Sequence, residues 1–192
     1  ATGVSSWNTH NRLTLATRSD SLNSCANMNI GSFNLYNREL SASEIQNLYN
    51  ASVSTYYPTS SIVNQGLTLY LDITNPNSYP GSGTTVYDLS GYGNNGTLTN
   101  GPTFSTDSGG ALIFDGVDDY AVLTDASLKN YTTITANIWM NVTSSNYYET
   151  YFSYNAEEAG LTQGWGVRRQ STITNYQYWG GTGSSGIKLY KN

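Results

Sequence analysis

Two turn-rich segments carry the side chains best suited to chemistry, because both concentrate hard oxygen atoms. Asp115-Gly-Val-Asp-Asp119 places three carboxylates within five residues around a glycine that lets the chain turn sharply. A second segment begins at Asp88 and is rich in Ser, Gly and Asn. Such oxygens suit Ca²⁺, and the candidate ligands are Asp88, Asn94, Asp115, Asp118 and Asp119. The same Asp side chains can instead accept hydrogen bonds from backbone N–H groups in Asx turns, so both interpretations stay open.

Aromatic residues favour carbohydrate binding as the function. The chain has 17 Tyr and 4 Trp, and many of them lie among Asn and Gln in its second half. Sugar sites use ring faces for the apolar side of the sugar and amide groups for its hydroxyls. The alternative is that most of these rings belong to the core or to cross-strand pairs. The candidate sugar-binding residues are Tyr147, Tyr148, Trp165, Tyr176, Tyr178 and Trp179.

Catalytic groups are hard to assemble from this sequence. His10 is the only histidine, and no motif supports a Ser-His-Asp triad around it. Glycoside hydrolysis requires two carboxylates about 5–10 Å apart. Glu157 and Glu158 are adjacent and would point to opposite faces of a strand, whereas Glu149 stands alone in the sequence. We therefore predict that the chain is not an enzyme, with glycoside hydrolysis as the enzymatic alternative.

Composition excludes several other classes. Charged residues make up 11% of the 192 residues and the formal net charge is −5, so no basic surface for nucleic acid is expected. The 38% hydrophobic content is unlike that of a disordered chain. Cys25 is the only cysteine, so an intrachain disulfide is excluded. No apolar run approaches the roughly 20 residues that span a bilayer, and no membrane insertion is predicted.

One segment has the pattern of a helix. Ser41 is followed three residues later by Glu44, which is the spacing of a capping box. Ile45, Leu48 and Tyr49 then share one face of a helix. The pattern predicts a short helix near residues 41–49, ended by Asn50.

The remaining chain has the period-two alternation of short strands separated by turns. Leu67, Leu69 and Leu71 face one way, and Trp139 lies on the opposite face from its even-numbered apolar neighbours. Many short strands with one helix predict an all-β sandwich of antiparallel strands. The predicted strands span residues 12–17, 28–36, 66–72, 111–114, 120–124, 133–140, 148–154, 164–168, 173–179 and 187–191.

Five motifs between residues 66 and 139 carry a family resemblance. They are Gly66-Leu-Thr-Leu-Tyr-Leu-Asp72, Asn75–Gly81, Asp88–Thr97, Asn100–Pro102 and Phe114–Tyr120. This run resembles the laminin G-like modules of the concanavalin A-like lectin/glucanase superfamily that occur in phage structural proteins. The resemblance implies an antiparallel jelly-roll β-sandwich with occasional calcium. The glucanase relatives carry a Glu-x-Asp-x-x-Glu strand, and this sequence contains no such strand.

The order of the segments departs from the family pattern. Residues 30–45 resemble the last core strand and closing helix of the same module, although they come first in this chain. We therefore divide the sequence into the C-terminal part of the module (1–50), a connector (51–63), and its N-terminal and central part (64–192). Three arrangements are open: a circular permutant, one period of a tandem array, or a sandwich completed by a neighbouring chain.

These expectations define a non-enzymatic structural or adhesion module of an extracellular assembly. The resemblance favours a phage virion surface protein, such as a capsid decoration, fibre or baseplate-associated protein, with carbohydrate binding. The alternatives are a secreted lectin-like module and a subunit of a self-assembling filament or array. The expected partners are copies of the chain itself, other virion or surface proteins, and cell-surface glycans.

Overall fold

Two antiparallel sheets account for most of the described chain. The computed structural model describes residues 12–17, 25–53, 62–124, 133–143, 149–154, 165–169 and 176–178. Within them, the helical elements are α1 (Ala42–Val53) and a 3₁₀ turn (Asp107–Gly109). The strands are β1 (Arg12–Leu15), β2 (Asn27–Tyr36), β3 (Leu67–Asp72), β4 (Thr85–Val86), β5 (Gly96–Thr99), β6 (Thr103–Ser105), β7 (Ala111–Asp115), β8 (Tyr120–Thr124), β9 (Thr135–Val142), β10 (Glu149–Tyr154), β11 (Trp165–Arg169) and β12 (Tyr176–Tyr178).

The first sheet has the strand order β12-β11-β10-β1-β8-β5-β4. The second is built around β2, which pairs with β9 along one edge. Along its other edge, β2 pairs first with β7 and then with β3, and β6 lies beyond β7. The first 50 residues thus contribute two interior strands: β1 lies between β8 and β10, and β2 lies between β9 and the pair formed by β3 and β7.

The core forms where the two sheets face each other. Leu13 and Leu15 of β1 alternate into it from the first sheet, and Phe33 and Leu35 of β2 enter it from the second. The fold is therefore all-β, with two layers packed in the manner of a β-sandwich. Among the described residues, no helix is both long enough and apolar enough to cross a bilayer.

The β2 strand keeps its apolar side chains inward by means of a bulge. Met28 and Ile30 are buried, and the register against β9 then shifts between Ile30 and Ser32, which leaves Gly31 as the extra residue. A one-residue insertion reverses the alternation. Phe33, and not the next even-numbered residue, therefore points into the core.

The capping box of α1 forms as the sequence predicts. The Ser41 backbone N–H donates to Glu44 Oε2 at 2.8 Å, and the Glu44 N–H donates to Ser41 Oγ at 3.3 Å. Arg38 adds an ion pair to Glu44 at 2.5 Å. The prediction that Asn50 ends the helix was wrong, because α1 continues to Val53. Asn50 instead accepts a hydrogen bond from Gln46 one turn earlier, at 3.1 Å, which favours the helical conformation.

The helix packs on the outer side of the second sheet. Leu40 and Leu48 form a small cluster with Tyr36 of β2 and Leu67 of β3. This cluster is separate from the main core between the sheets. The helix therefore covers one end of the outer face of this sheet.

Where the residues are described, the predicted strand boundaries hold to within two residues. The strand predicted over 12–17 ends at Leu15, because Ala16 has a φ of 67° in the left-handed region. Of the strand predicted over 173–179, the described residues are those of β12, Tyr176–Tyr178. The short strands β4, β5 and β6 were not predicted, since two to four residues are too few to show a period-two alternation. The predicted strand over 187–191 and most of the connector lie outside the described residues.

Candidate functional site

The carboxylate of Asp88 is the centre of a closed hydrogen-bond network. Its Oδ1 accepts the backbone N–H groups of Tyr70 and Ser90, both at 2.9 Å. Its Oδ2 accepts the Ser90 hydroxyl at 2.7 Å and the Asn94 N–H at 2.9 Å. Four donors thus saturate both oxygens, and the carboxylate holds its own loop in one conformation.

This loop lies along the free edge of β3. Leu89 N–H donates to the carbonyl of Tyr70 at 2.8 Å, and Asn94 Nδ2 donates to the carbonyl of Thr68 at 2.8 Å. Together with the bond from the Tyr70 N–H to Asp88, these contacts replace the bonds that a neighbouring strand would make. Asp88 and Asn94 therefore cover an edge that would otherwise expose backbone groups.

The five predicted calcium ligands do not form one cluster. Asp115 pairs with Asn27 of β2, whereas Tyr70, the partner of Asp88, pairs with Asn34 of the same strand. Asn34 lies seven positions after Asn27, which is about 23 Å along an extended strand. One ion cannot bridge this distance, so Asp88 and Asn94 do not belong to the same candidate site as the three residues of the β7–β8 turn.

The β7–β8 turn brings Asp115, Asp118 and Asp119 together. One ligand oxygen from each lies within 4.8 Å of the others. Two oxygens that bind one Ca²⁺ at about 2.4 Å can be at most about 4.8 Å apart, so the donor set fits this ion. Two of these side chains also stabilise the turn, since Asp115 Oδ1 accepts the Val117 N–H at 2.8 Å and Asp119 Oδ2 accepts the Asp115 N–H at 3.2 Å.

Glycine is required at position 116 for two reasons. Its φ of 78° is in the left-handed region, and a Cβ there would lie 2.8 Å from Asn27 Cβ and 2.9 Å from the Asn27 backbone nitrogen. The turn therefore approaches β2 more closely than any side chain permits. This contact fixes the backbone from which the three aspartates project.

Burial and the neighbouring negative charges both raise the pKa of Asp119 in the acidic turn. Asp119 is 5% exposed, and its pKa is raised first by desolvation and then by the charges of Asp115 and Asp118, against the lowering effect of the Asp115 N–H.

The pKa of the nearby Cys25 thiol is also raised, mainly by burial. A hydrogen bond from this thiol to Thr17 Oγ1, 3.4 Å long, partly opposes that shift. Cys25 is thus poorly suited to act as a thiolate nucleophile.

Glu149, the carboxylate that stands alone in the sequence, has an arginine partner in the folded chain. Glu149 in β10 is 0% exposed and pairs across the sheet with Arg169 of β11. Its Oε2 lies 3.9 Å from Arg169 Nη1. No local pattern predicts this pairing, because Glu149 and Arg169 are 20 positions apart in the chain. Glu157 and Glu158 lie outside the described residues.

The predicted sugar-binding aromatics divide into three groups. Trp165 is half-buried: its ring stacks on Tyr154 at 5.6 Å between centroids and meets Phe152 edge to face at 6.1 Å. Trp165 therefore packs at the margin of the core. Tyr176 and Tyr178 belong to β12 by their backbone. Tyr147, Tyr148 and Trp179 lie outside the described residues.

Other aromatic residues are exposed where the sequence interpretation did not place a site. Tyr87 is 47% exposed and Tyr92 is 69% exposed, and they flank the Asp88 network. Trp139 is 45% exposed on the outer face of β9. A signal for Trp139 was present, since the alternation of β9 directs it away from the core. Tyr92 lies between Gly91 and Gly93, and this spacing indicates a turn but not exposure.

Comparison with protein-family models, curated proteins and solved structures gave no match.

Proposed function

We propose that this chain is a non-enzymatic structural and adhesion module of an extracellular assembly, and that it binds carbohydrate. The motifs quoted above favour a virion surface as its setting, in a capsid decoration, fibre or baseplate-associated protein. Its partners would be copies of itself, other virion proteins and cell-surface glycans. Fold class by itself does not determine function, so the proposal depends on the surface chemistry of the described residues.

The supporting observation is that large aromatic rings remain exposed on backbone segments held by hydrogen bonds. Tyr87 directly precedes the loop that Asp88 holds through four hydrogen bonds, Tyr92 lies within that loop, and Trp139 lies within a paired strand. Exposed rings of this kind contribute contact area at low entropic cost, because the backbone that carries them is ordered before binding. Neighbouring Asn, Ser and Gly residues supply hydrogen-bonding groups without adding charge.

Calcium remains part of the proposal at the β7–β8 turn alone. Asp115, Asp118 and Asp119 would hold the ion there, and it would offset the repulsion among their carboxylates. We assign the ion no part in sugar binding.

A glycan array probed with the intact chain tests the proposal. We expect retention on a restricted set of glycans and, by light scattering, the mass of one chain, 20.9 kDa. No retention on any glycan, together with a ladder of oligomers in dilute solution, would favour the self-assembling filament or array subunit instead. Release of reducing ends from a retained glycan would favour the hydrolase alternative.

A further inference from the structure

Trp139 lies midway along β9, on the outer face of the second sheet, and β9 pairs with β2 alone among the described strands. On β9 the side chains of Asn137, Trp139 and Asn141 alternate to the same face. The register pairs Trp139 with Ser32 and Asn141 with Asn29 on β2, and directly opposed residues of an antiparallel pair share a face. An exposed indole is therefore surrounded by amide and hydroxyl side chains.

Gly31 forms the surface beside the indole ring, which we call the floor. Gly31 is the extra residue of the β2 bulge, and a Cβ there would lie 3.3 Å from Trp139 Cδ1. Its carbonyl accepts the Ile73 N–H at 2.9 Å, so the bulge is held in place from the opposite edge. At Gly110, close by, a Cβ would lie 2.9 Å from the Ile73 carbonyl oxygen. The backbone of Gly31, with no side chain of its own, therefore lies directly beside the Cδ1 edge of the ring.

Tyr49 of α1 forms a wall at one side of this floor. Its ring centroid lies 6.5 Å from that of Trp139, and the two planes are inclined by 49°. Because the capping box and the Leu48 contacts fix α1 against the sheet, Tyr49 is held at this position. We call the surface formed by Gly31, Ser32, Tyr49, Trp139 and the three asparagines 29, 137 and 141 the Trp139 platform.

We propose that the Trp139 platform is a subsite for one ring of an uncharged glycan. The inference rests on the proposed function and gives it a location and a ligand class. Among the described residues of this face, Trp139 is the one exposed large hydrophobic side chain, and a single indole is far smaller than the about 800 Å² per partner of a stable protein interface. An indole face matches the apolar face of a pyranose, and the surrounding amides match its hydroxyls.

The charge of the surroundings favours a neutral sugar. The side chains of the platform are all uncharged at neutral pH. Asp72 lies in the same row, opposite Ser32 on β3, but it is buried. Its Oδ1 accepts the Thr74 hydroxyl at 2.7 Å and its Oδ2 accepts the Tyr70 hydroxyl at 2.9 Å. The platform thus presents neither a cation for an acidic sugar nor an open carboxylate for a basic one.

The test uses glucose- and galactose-based neutral tetrasaccharides and their glucuronate-containing counterparts, titrated into the intact chain by calorimetry. We expect a neutral tetrasaccharide to bind, the acidic counterpart to bind more weakly, and Trp139→Ala to weaken binding roughly tenfold or more. Trp139→Phe retains an aromatic face and should keep most of the affinity. Because Trp139→Phe is the milder substitution, it keeps the test valid if Trp139→Ala does not fold. Far-ultraviolet circular dichroism checks the folding of each variant. Val117→Ala, which removes a different exposed apolar side chain, should not change binding.

The failure of this inference can be told apart from the failure of the proposed function. Binding that survives Trp139→Ala but is lost in Tyr92→Ala would overturn the assignment to the Trp139 platform and leave carbohydrate adhesion intact. Tighter binding of the acidic tetrasaccharides would overturn the neutral-glycan assignment. If neither the array nor the tetrasaccharides show binding to the folded parent chain, the proposed function fails and the inference fails with it.

Discussion

The rings of Phe33 and Phe152 meet edge to face, with their centroids 5.3 Å apart and their planes inclined by 67°. Phe33 belongs to β2 and Phe152 to β10, so the contact joins the two sheets. It also joins the first 50 residues of the chain to the part that follows residue 63. The main core therefore includes side chains from both parts.

Phe33→Leu and Phe152→Leu, singly and together, test this contact. We expect each variant to lower the free energy of unfolding by less than the about 3–5 kcal/mol typical of Phe→Ala. The double variant should reveal a coupling of about 0.5–1.5 kcal/mol, because edge-to-face pairs contribute beyond their buried area. Urea denaturation measures all three. Phe152→Leu combined with Tyr92→Leu is the control and should be additive; additivity of the Phe pair as well would show that the rings do not interact.

Asp88→Asn tests whether this residue covers an edge or binds metal. The new amide group would face the Asn94 N–H that the carboxylate now accepts, so a buried donor loses its partner. We expect a loss of about 1–3 kcal/mol in the free energy of unfolding, equal in chelator and in millimolar Ca²⁺. Asp107→Asn, the same charge change at an exposed position, should have little effect. A loss that appears only in Ca²⁺ would identify Asp88 as a metal ligand.

The β7–β8 turn should respond to pH through Asp119. Because its folded pKa is raised, the charged form is disfavoured in the folded state. Stability linked to this group is present below its unfolded pKa and is lost as pH rises through its folded pKa. In chelator, Asp119→Asn should therefore raise the melting temperature at neutral pH, and the gain should disappear toward about pH 3.

The same melting experiment, repeated in Ca²⁺, distinguishes a metal site from a turn that hydrogen bonds alone close. If the three carboxylates bind Ca²⁺, millimolar Ca²⁺ should raise the melting temperature of the parent. The parent should then melt at a higher temperature than Asp119→Asn, which is the reverse of their order in chelator. If hydrogen bonds alone close the turn, Ca²⁺ should leave both melting temperatures unchanged. Isothermal titration of the parent with Ca²⁺ should agree with whichever result is obtained.

Glu44 has the opposite pH dependence. Hydrogen bonds from Arg38 and Ser41 lower its pKa from 4.5 to about 2. Its contribution to stability is thus complete above pH 4.5 and is lost as the pH falls toward 2. We expect Glu44→Gln to lower the melting temperature near neutral pH and to match the parent near about pH 2. Glu39→Gln, a nearby substitution with the same charge change, should not reproduce this profile.

Gly116→Ala and Gly91→Ala separate backbone strain from steric clash. Both glycines have positive φ, 78° and 90°, but a Cβ meets Asn27 at 2.8 Å in the first case and nothing within 4 Å in the second. Gly91→Ala should cost about 1–2 kcal/mol from the left-handed conformation alone. Gly116→Ala should cost more, as measured by chemical denaturation. Equal losses would show that the turn moves away from β2 without penalty.

Local patterns in the sequence were sufficient to predict α1 and the longer strands. The Ser41–Glu44 spacing correctly predicted where α1 begins. The alternation of Leu69 and Leu71 correctly predicted a strand facing the main core, whereas Leu67, predicted to face the same way, packs in the separate cluster with Leu48. The alternation of β9 also correctly directed Trp139 away from the core. These features depend on neighbours within a few residues, because a capping box and a pleat are both local geometries.

Tertiary structure alone decided which side chains are available for binding. The carboxylate of Asp88 accepts the N–H of Tyr70, 18 positions earlier in the chain, and the ring of Trp165 lies against Tyr154 and Phe152. Asp88 as a metal ligand and Trp165 as a sugar-binding residue stay predictions. The three short strands β4, β5 and β6 depend in the same way on partners that only the folded chain provides. Hydrogen-bond saturation and burial arise from contacts between distant segments, and a sequence pattern with a period of a few residues does not encode them.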